Sequence, residues 1–171
     1  MENGGTLKGF FAVPLTGTPY IDEINLSKNM RDHYKRMLLY KKECDNAMYY
    51  GCFHNSLTYL NGNKSPAGMI RADAGLVLNN GTLMMFSIHD VNCNATISGA
   101  DFKYCGQIEV DVNGFKKTNI VGKDIFGTYV TEDGLIPFGA RGSDNSVLSC
   151  VKGSTSSENN GYGCSAKYLL E

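Results

Sequence analysis

The chain reads Asp111-Val112-Asn113-Gly114-Phe115-Lys116 and, a few residues later, Gly122-Lys123-Asp124-Ile125-Phe126. Upstream of this stretch, apolar and polar residues alternate: Ile108, Val110 and Val112 against Gln107, Glu109 and Asp111. A period of two is typical of a half-buried strand, and an Asn-Gly pair is typical of the turn that ends one. The sequence therefore predicts a hairpin whose connection is rich in side-chain oxygen atoms.

Further strands are predicted on both sides of this hairpin. Asn80-Gly81 separates residues 76–79 from residues 82–88, which indicates a second hairpin with a two-residue turn. A Glu132-Asp133-Gly134 turn separates residues 125–130 from 135–138 in the same way. Because strands dominate the second half and helices the first, we expect an α+β fold with an antiparallel sheet of about four to five strands.

An amphipathic helix is predicted from residue 25 to about residue 42, packed on this sheet. One face carries apolar residues at three- and four-residue steps: Leu26, Met30, Tyr34, Met37 and Leu38. Asn25 or Ser27 is the expected N-cap, and the two lysines at 41 and 42 suit the C-terminal end. Ser65-Pro66 predicts a second, short helix through about Asp73.

Length and charge limit the classes of function. The chain has 171 residues, which fits a single domain over residues 1–171. Residues 1–19 are rich in Gly and Pro and are interpreted as a connector, and residues 139–171 as a C-terminal loop. The formal net charge is −1, with 16 basic and 17 acidic residues, so no basic excess favours binding to nucleic acid. No apolar run approaches the roughly 20 residues that span a bilayer.

Six cysteines occur at short separations along the chain: Cys44, Cys52, Cys93, Cys105, Cys150 and Cys164. An even number at such spacings favours disulfide bonds, although the sequence alone does not fix which cysteines pair. Zinc is the competing interpretation, but no Cys-x-x-Cys occurs and the three histidines do not lie at ligand spacing. Disulfides imply an oxidising, extracytoplasmic compartment. A bridge between Cys150 and Cys164 would clamp the C-terminal loop.

Calcium is the one cofactor that the sequence suggests. Asp111, Asn113, Asn119 and Asp124 place four oxygen-bearing side chains close together along the chain, and such side chains are typical ligands of a hard cation. The pattern is not that of an EF-hand. The alternative is that these residues form turns and cap backbone amides around Gly114 and Gly122. The sequence leaves both hypotheses open.

No catalytic constellation is convincing, so we expect no enzymatic activity. His89 and Asp90 are adjacent and point to opposite faces of a strand, and no Gly-x-Ser-x-Gly elbow is present. Cys52-Phe53-His54 brings a thiol and an imidazole together in sequence. A catalytic thiolate needs a reduced sulfur, however, and a disulfide with Cys44 would consume it.

The stretch from Asp111 to Phe126, with the six cysteines and the Asn80-Gly81 turn, resembles the bacterial type IV prepilin and type II secretion pseudopilin family. The resemblance runs from about Glu2 to the end of the chain. Matching residues are Asp111, Asn113, Gly114, Phe115, Lys116, Gly122, Asp124 and Phe126, with Gly163-Cys164-Ser165-Ala166-Lys167 near the terminus. Many members have Lys-Gly-Pro-Asn where this chain has Lys116-Lys117-Thr118-Asn119.

This resemblance implies a non-enzymatic structural subunit of a type IV pilus or secretion pseudopilus. Its partners would be other pilin or pseudopilin subunits, contacted through an N-terminal hydrophobic helix that is missing here. The subunit would be anchored in the inner membrane before assembly and then lie in the periplasm or at the cell surface. The fragment itself would be soluble and monomeric, with bridges 44–52, 93–105 and 150–164. The alternative function is a secreted or surface binding module, such as an adhesin or minor pilin.

Overall fold

The computed structural model describes residues 14–64, 73–116, 118–143 and 149–170. Its elements in chain order are α1 (Pro19–Lys35), β1 (Tyr40–Cys44), β2 (Ala74–Leu78), β3 (Leu83–Ile88), β4 (Ala95–Thr96), β5 (Lys103–Tyr104), β6 (Gly106–Asp111), β7 (Ile125–Thr131), β8 (Gly134–Pro137) and α2 (Cys164–Leu170). The fold is α+β, as predicted. The predicted helix from Ser65 falls mostly on residues 65–72, which lie outside the described residues.

Six strands form one antiparallel sheet in the order β1-β2-β3-β6-β7-β8, and β4 pairs with β5 in a small separate sheet. The predicted number of about four to five strands was therefore too low. The unpredicted member is β1 at the sheet edge, in a segment that the sequence assigned to the end of the helix. Lys42 of β1 pairs with Val77 of β2, so sheet pairing decides the conformation of this segment.

The helix α1 lies earlier in the chain than predicted. It begins at Pro19, and Asp22 in its first turn accepts hydrogen bonds from Thr16 N–H and Oγ–H and from Gly17 N–H. These hydrogen bonds lower the pKa of Asp22 below its ordinary value, and those from Thr16 contribute most. Proline is well suited to the first turn because its missing N–H has no helical partner there. The helix therefore starts at the last residue of the predicted connector, ahead of the predicted start at residue 25.

Several predicted features of this helix were wrong in consequence. Ser27 is a buried helix residue whose Oγ accepts a hydrogen bond from Ile88 N–H at 3.2 Å, and not an N-cap. Leu26 and Met30 do face the sheet, but Met37 lies beyond the helix and is 67% exposed. Met37 and Leu38 lie between α1 and β1, so the apolar spacing did not mark the helix end.

The two faces of the sheet are covered differently. The helix α1 packs on β2 and β3, where Met30, Leu76 and Phe86 form a core with Ile108 and Val130. The opposite face is covered by loops, which contribute the buried residues Ala47, Cys52, Phe53, Leu57 and Val121. Strand β6 therefore has a cover on each side, and its Glu109 is only 3% exposed. The prediction of a half-buried β6 was wrong because the loop layer covers its polar face.

The predicted hairpins lie close to their expected places. Leu78 N–H donates to Thr82 O at 2.9 Å, so three residues, Asn79 to Gly81, form the turn instead of the predicted two. Gly81 has a φ of 95°, which glycine adopts without steric cost. The turn between β7 and β8 lies between the paired residues Thr131 and Gly134. The central hairpin joins β6 to β7, with Asp111 paired with Ile125.

The cysteines form three disulfide bonds between sequential pairs: Cys44–Cys52, Cys93–Cys105 and Cys150–Cys164. No cysteine is free. The last bridge holds the end of the chain, as expected for a clamp, although this end contains a short helix, α2, that the sequence did not predict. Within the described ranges, no helix has the length and apolarity needed to cross a membrane.

Candidate functional site

The predicted oxygen-rich loop connects β6 to β7 and begins at Asp111, the last residue of β6. Its carboxylate is fully buried. Asp111 Oδ1 accepts hydrogen bonds from Asn113 N–H at 2.9 Å and from Gly114 N–H at 2.7 Å. This is the turn-forming arrangement that the sequence offered as the alternative to a metal ligand.

His54 binds the other carboxylate oxygen. Its Nε2 lies 2.9 Å from Asp111 Oδ2 and 3.2 Å from Gly114 O. Both partners are acceptors, so Nε2 carries the proton and donates to them. The imidazole is 9% exposed and reaches this loop from the segment that follows Cys52. This pair could not be predicted from the sequence, because 57 positions separate the two residues and no local pattern connects them.

A glycine lets the loop approach the neighbouring turn closely. Gly114 has a φ of 68°, and a Cβ atom at this position would overlap Gly81 O. The two Asn-Gly sequences therefore meet at one end of the sheet. Any larger residue at position 114 would have to separate them and adopt a strained backbone.

The remaining predicted calcium ligands lie along the same loop. Asp124 Oδ2 accepts a hydrogen bond from Ile120 N–H at 3.2 Å, and Asp124 O accepts one from Val112 N–H at 2.9 Å. The side-chain oxygens of Asn113 and Asn119 are buried and have no hydrogen-bond partner in the described part of the chain.

These contacts bear on calcium in two ways. Both oxygens of Asp111 and one oxygen of Asp124 already accept protein hydrogen bonds, which a cation would have to replace. The buried amide oxygens of Asn113 and Asn119 favour an additional donor or cation. Among the residues that the structure describes, no cluster of three or more His, Cys, Asp or Glu side chains is arranged to hold a metal. Calcium binding and the turn-forming role therefore both stay open hypotheses.

Phe115 projects from the loop directly after the turn. Its ring packs edge-to-face on the His54 ring, with centroids 5.2 Å apart, and its side chain is 57% exposed. One edge of the aromatic group is thus held by a buried imidazole while the rest faces solvent. An aromatic ring presented in this way is a common element of binding surfaces.

A cleft of about 660 Å³ opens beside Phe115. It lies at the end of the sheet where the two turns meet, and the Cys44–Cys52 loop forms another of its walls through Gly51. We call it the lysine cleft; the polar and aromatic residues that line it are Lys41, Lys42, Asn80, Asn113, Phe115 and Lys116.

Two successive lysines of β1 line this one cleft, although neighbours in a regular strand point to opposite faces. The register between β1 and β2 shifts between Tyr40 and Lys42, as in a β-bulge. Bulges reorient side chains at sheet edges, which accounts for the shared direction of Lys41 and Lys42. Lys42 Nζ donates to Tyr50 O at 2.6 Å and to Gly51 O at 3.3 Å, so it is anchored to the cleft wall.

A charged network fixes the Cys44–Cys52 loop to α1. The buried Arg31 guanidinium donates to Cys44 O at 2.9 Å and to Asp45 Oδ1 at 3.0 Å. Lys28 forms an ion pair with Asp45 at 2.9 Å. Burial alone would raise the pKa of Asp45, but the hydrogen bonds and charges of Lys28 and Arg31 lower it below the ordinary value. The helix thereby sets the position of the loop beside the cleft.

The possible Cys52–His54 pair is not available for nucleophilic catalysis, because the sulfur of Cys52 is bonded to Cys44. Comparison with known protein families, curated proteins and solved structures finds no match to this chain.

Proposed function

We propose that this chain is the globular head of a prepilin-like subunit, a non-enzymatic building block of a type IV pilus or a type II secretion pseudopilus. The observation that carries the proposal is the arrangement of the layers. An N-terminal helix, α1, lies on one face of an antiparallel sheet, and disulfide-closed loops lie around the other. This arrangement of layers supports the pilin-like plan that the sequence resemblance implies.

The residues that carry the resemblance have structural roles. Asp111 and Gly114 form the turn after β6, and Gly122 lies where a Cβ atom would overlap Cys164 Sγ and Gly161 O. Ser165 Oγ accepts a hydrogen bond from Gly127 N–H at 2.9 Å, which joins α2 to β7. The motif therefore closes loops and joins elements, as the proposed structural subunit requires.

The cysteines support an extracytoplasmic location. All six are paired in three bridges, and such bridges persist in the bacterial envelope and at the cell surface. The proposal therefore places the head in the periplasm or on the cell exterior. It requires that the protein in the cell carry a hydrophobic N-terminal helix for membrane anchoring and assembly.

The test uses the native organism. Antibodies against the purified chain should label filaments by immunogold electron microscopy, and mass spectrometry of the cellular protein should find a hydrophobic segment ahead of this head. A strain in which the gene is deleted supplies the control for antibody specificity. Recovery of the protein only as a free species, without filaments and without a hydrophobic segment, would overturn the proposal.

The second candidate function is a binding module, and the lysine cleft favours it. An adhesin or minor pilin would present such a cleft to a ligand outside the cell. The two functions are compatible, because a subunit at the surface of a filament also presents its loops to solvent.

A further inference from the structure

We propose that the lysine cleft binds an anionic saccharide, a chain of sugars that carry carboxylate groups. The inference does not depend on assembly into a filament, because every group that it uses belongs to this chain. It rests on the charge of the cleft, on the groups that accompany this charge and on the rigidity of the cleft walls.

The cleft concentrates positive charge in a chain whose net charge is −1. Its described lining residues include three lysines and no aspartate or glutamate. Lys41 and Lys116 form no hydrogen bond or ion pair with other described residues, and Lys42 is bonded only to carbonyl oxygens. Elsewhere, Lys28 and Lys35 are paired with carboxylates. The ammonium groups of the cleft are therefore available to an anionic ligand.

The uncharged groups in the cleft favour a sugar over a simple anion. The exposed Phe115 ring offers an apolar surface on which the C–H face of a sugar ring can stack. Asn80 and Asn113 bring side-chain amides, which donate to and accept from hydroxyl groups. A small inorganic anion would use only the lysines.

The walls of the cleft are rigid before any ligand binds. The Asp111–His54 pair fixes the turn that carries Asn113, and His54 packs on Phe115. The hydrogen bonds of Lys42 to Tyr50 O and Gly51 O connect β1 to the Cys44–Cys52 loop. A preformed site loses less conformational entropy on binding, which favours measurable affinity for a short oligosaccharide.

The experiment is a calorimetric titration of the oxidised chain at low ionic strength with a tetramer of galacturonic acid. Maltotetraose, which has the same number of rings without carboxylates, and inorganic phosphate serve as comparison ligands. We expect saturable binding of the acidic tetramer, affinity that falls as salt is added, and much weaker binding of both comparison ligands.

Variants assign the binding to the cleft. The double substitution K41Q/K116Q should weaken binding by about tenfold or more, because two charge contacts of modest strength are lost. F115L should weaken binding to the acidic tetramer while it preserves the charge. The matched control is K152Q, which removes a lysine outside the cleft and should leave the affinity unchanged. Urea titrations should give the same midpoint for K41Q/K116Q, K152Q and the unmodified chain.

Three results would overturn the proposal. The first is no saturable binding of the tetramer. The second is an equal loss of affinity in K152Q and K41Q/K116Q, which would indicate attraction to overall charge. The third is inorganic phosphate binding as tightly as the tetramer, which would indicate a general anion site without sugar recognition. None of these results bears on filament assembly, which immunogold labelling tests separately.

Discussion

Asp111 is a buried charge whose partners come from two distant parts of the chain. Two backbone N–H groups of its own turn bind one oxygen, and the imidazole of His54 binds the other. A buried carboxylate is tolerable only when it is well hydrogen-bonded, and here three donors meet this need. The same bonds place Asn113 and Phe115 at the cleft, so this residue connects the stability of the fold to the candidate site.

Removing this carboxylate should be costly. We expect Asp111→Ala to reduce the free energy of unfolding by about 2–4 kcal/mol, because it leaves two backbone N–H groups without an acceptor and the buried His54 N–H with Gly114 O alone. The measurement is urea unfolding of the oxidised chain. Asp133→Ala, at an exposed turn, is the control and should change stability by less than about 0.5 kcal/mol. Equal midpoints for the two variants would contradict a structural role for Asp111.

The calcium hypothesis depends on whether the side-chain oxygens of this loop are available to a cation. Because both oxygens of Asp111 are occupied by protein donors, we expect the same Tm in excess calcium and in EDTA. A saturable rise of the Tm with calcium that disappears in Asp124→Asn would contradict this expectation. It would show instead that Asp124 belongs to a cation site.

The local part of this site was predictable and the long-range part was not. The Asn113-Gly114 turn follows from residue types that tolerate positive φ, and the capping role of Asp111 was one of two stated alternatives. His54 and Lys41 reach the site through tertiary structure and a β-bulge. Sequence periodicity indicates which residues of one helix or strand share a face. It does not predict how His54 and Lys41 approach residues of other elements.

At the scale of elements, the helix shows where sequence patterns mislead. Its apolar spacing predicted residues 25 to about 42, but the helix begins at Pro19 and ends at Lys35, before β1. Leu26 and Met30 were placed correctly because core contacts create the helical period. The two lysines at 41 and 42 fit a helix terminus and an edge strand equally well, since charge on an edge strand prevents unwanted pairing.

The packing of β7 against the segment after β8 depends on the absence of a side chain. A Cβ atom on Gly127 would overlap the Phe138 ring, which is fully buried. We expect Gly127→Ala to destabilise the fold by about 1–3 kcal/mol through overpacking. The double variant Gly127→Ala/Phe138→Leu should lose less free energy of unfolding than the two single variants lose together. Urea unfolding of the two single variants and the double variant measures this difference as a double-mutant cycle. Additive losses would mean that the two positions do not touch.

The attachment of α1 to the Cys44–Cys52 loop should depend on pH. The folded pKa of Asp45 lies below its ordinary value of 3.8, so its ion pairs contribute stability above that value and lose it as the pH falls through the folded pKa. At about pH 7 we expect Asp45→Asn to be less stable than the unmodified chain by under about 1 kcal/mol, because the Asp45 carboxylate is partly exposed. At about pH 2 the difference should vanish. Urea titrations at both values measure it.

The control for this prediction is Asp133→Asn at the exposed turn between β7 and β8. Its stability relative to the unmodified chain should be the same at both pH values. A difference for Asp45→Asn that is constant across the range would indicate that the carboxylate acts through its shape alone.

At the scale of the molecule, disulfide bonds hold the loops where regular elements are scarce. The α+β class, the antiparallel sheet and a clamped C-terminal region could be predicted from strand patterns and cysteine spacing. The helix α2 could not, because its Cys164–Leu170 segment is short and has exposed apolar residues at its end. Its position depends on contacts with β7 and β8 that no local pattern reports.

The clamp at the C-terminus gives the most direct test of this organisation. The bridge between Cys150 and Cys164 holds α2, whose Ser165 Oγ accepts from Gly127 N–H and whose Ala166 N–H donates to Phe138 O. We expect the paired change C150A/C164A to destabilise the chain by about 3 kcal/mol and to speed hydrogen exchange at the Gly127 amide. The matched change C93A/C105A removes a bridge beside β4 and β5. In this variant we expect the Gly127 amide to exchange no faster than the change in global stability alone requires. Equal exchange at Gly127 in the two variants would show that the sheet holds α2 without its disulfide.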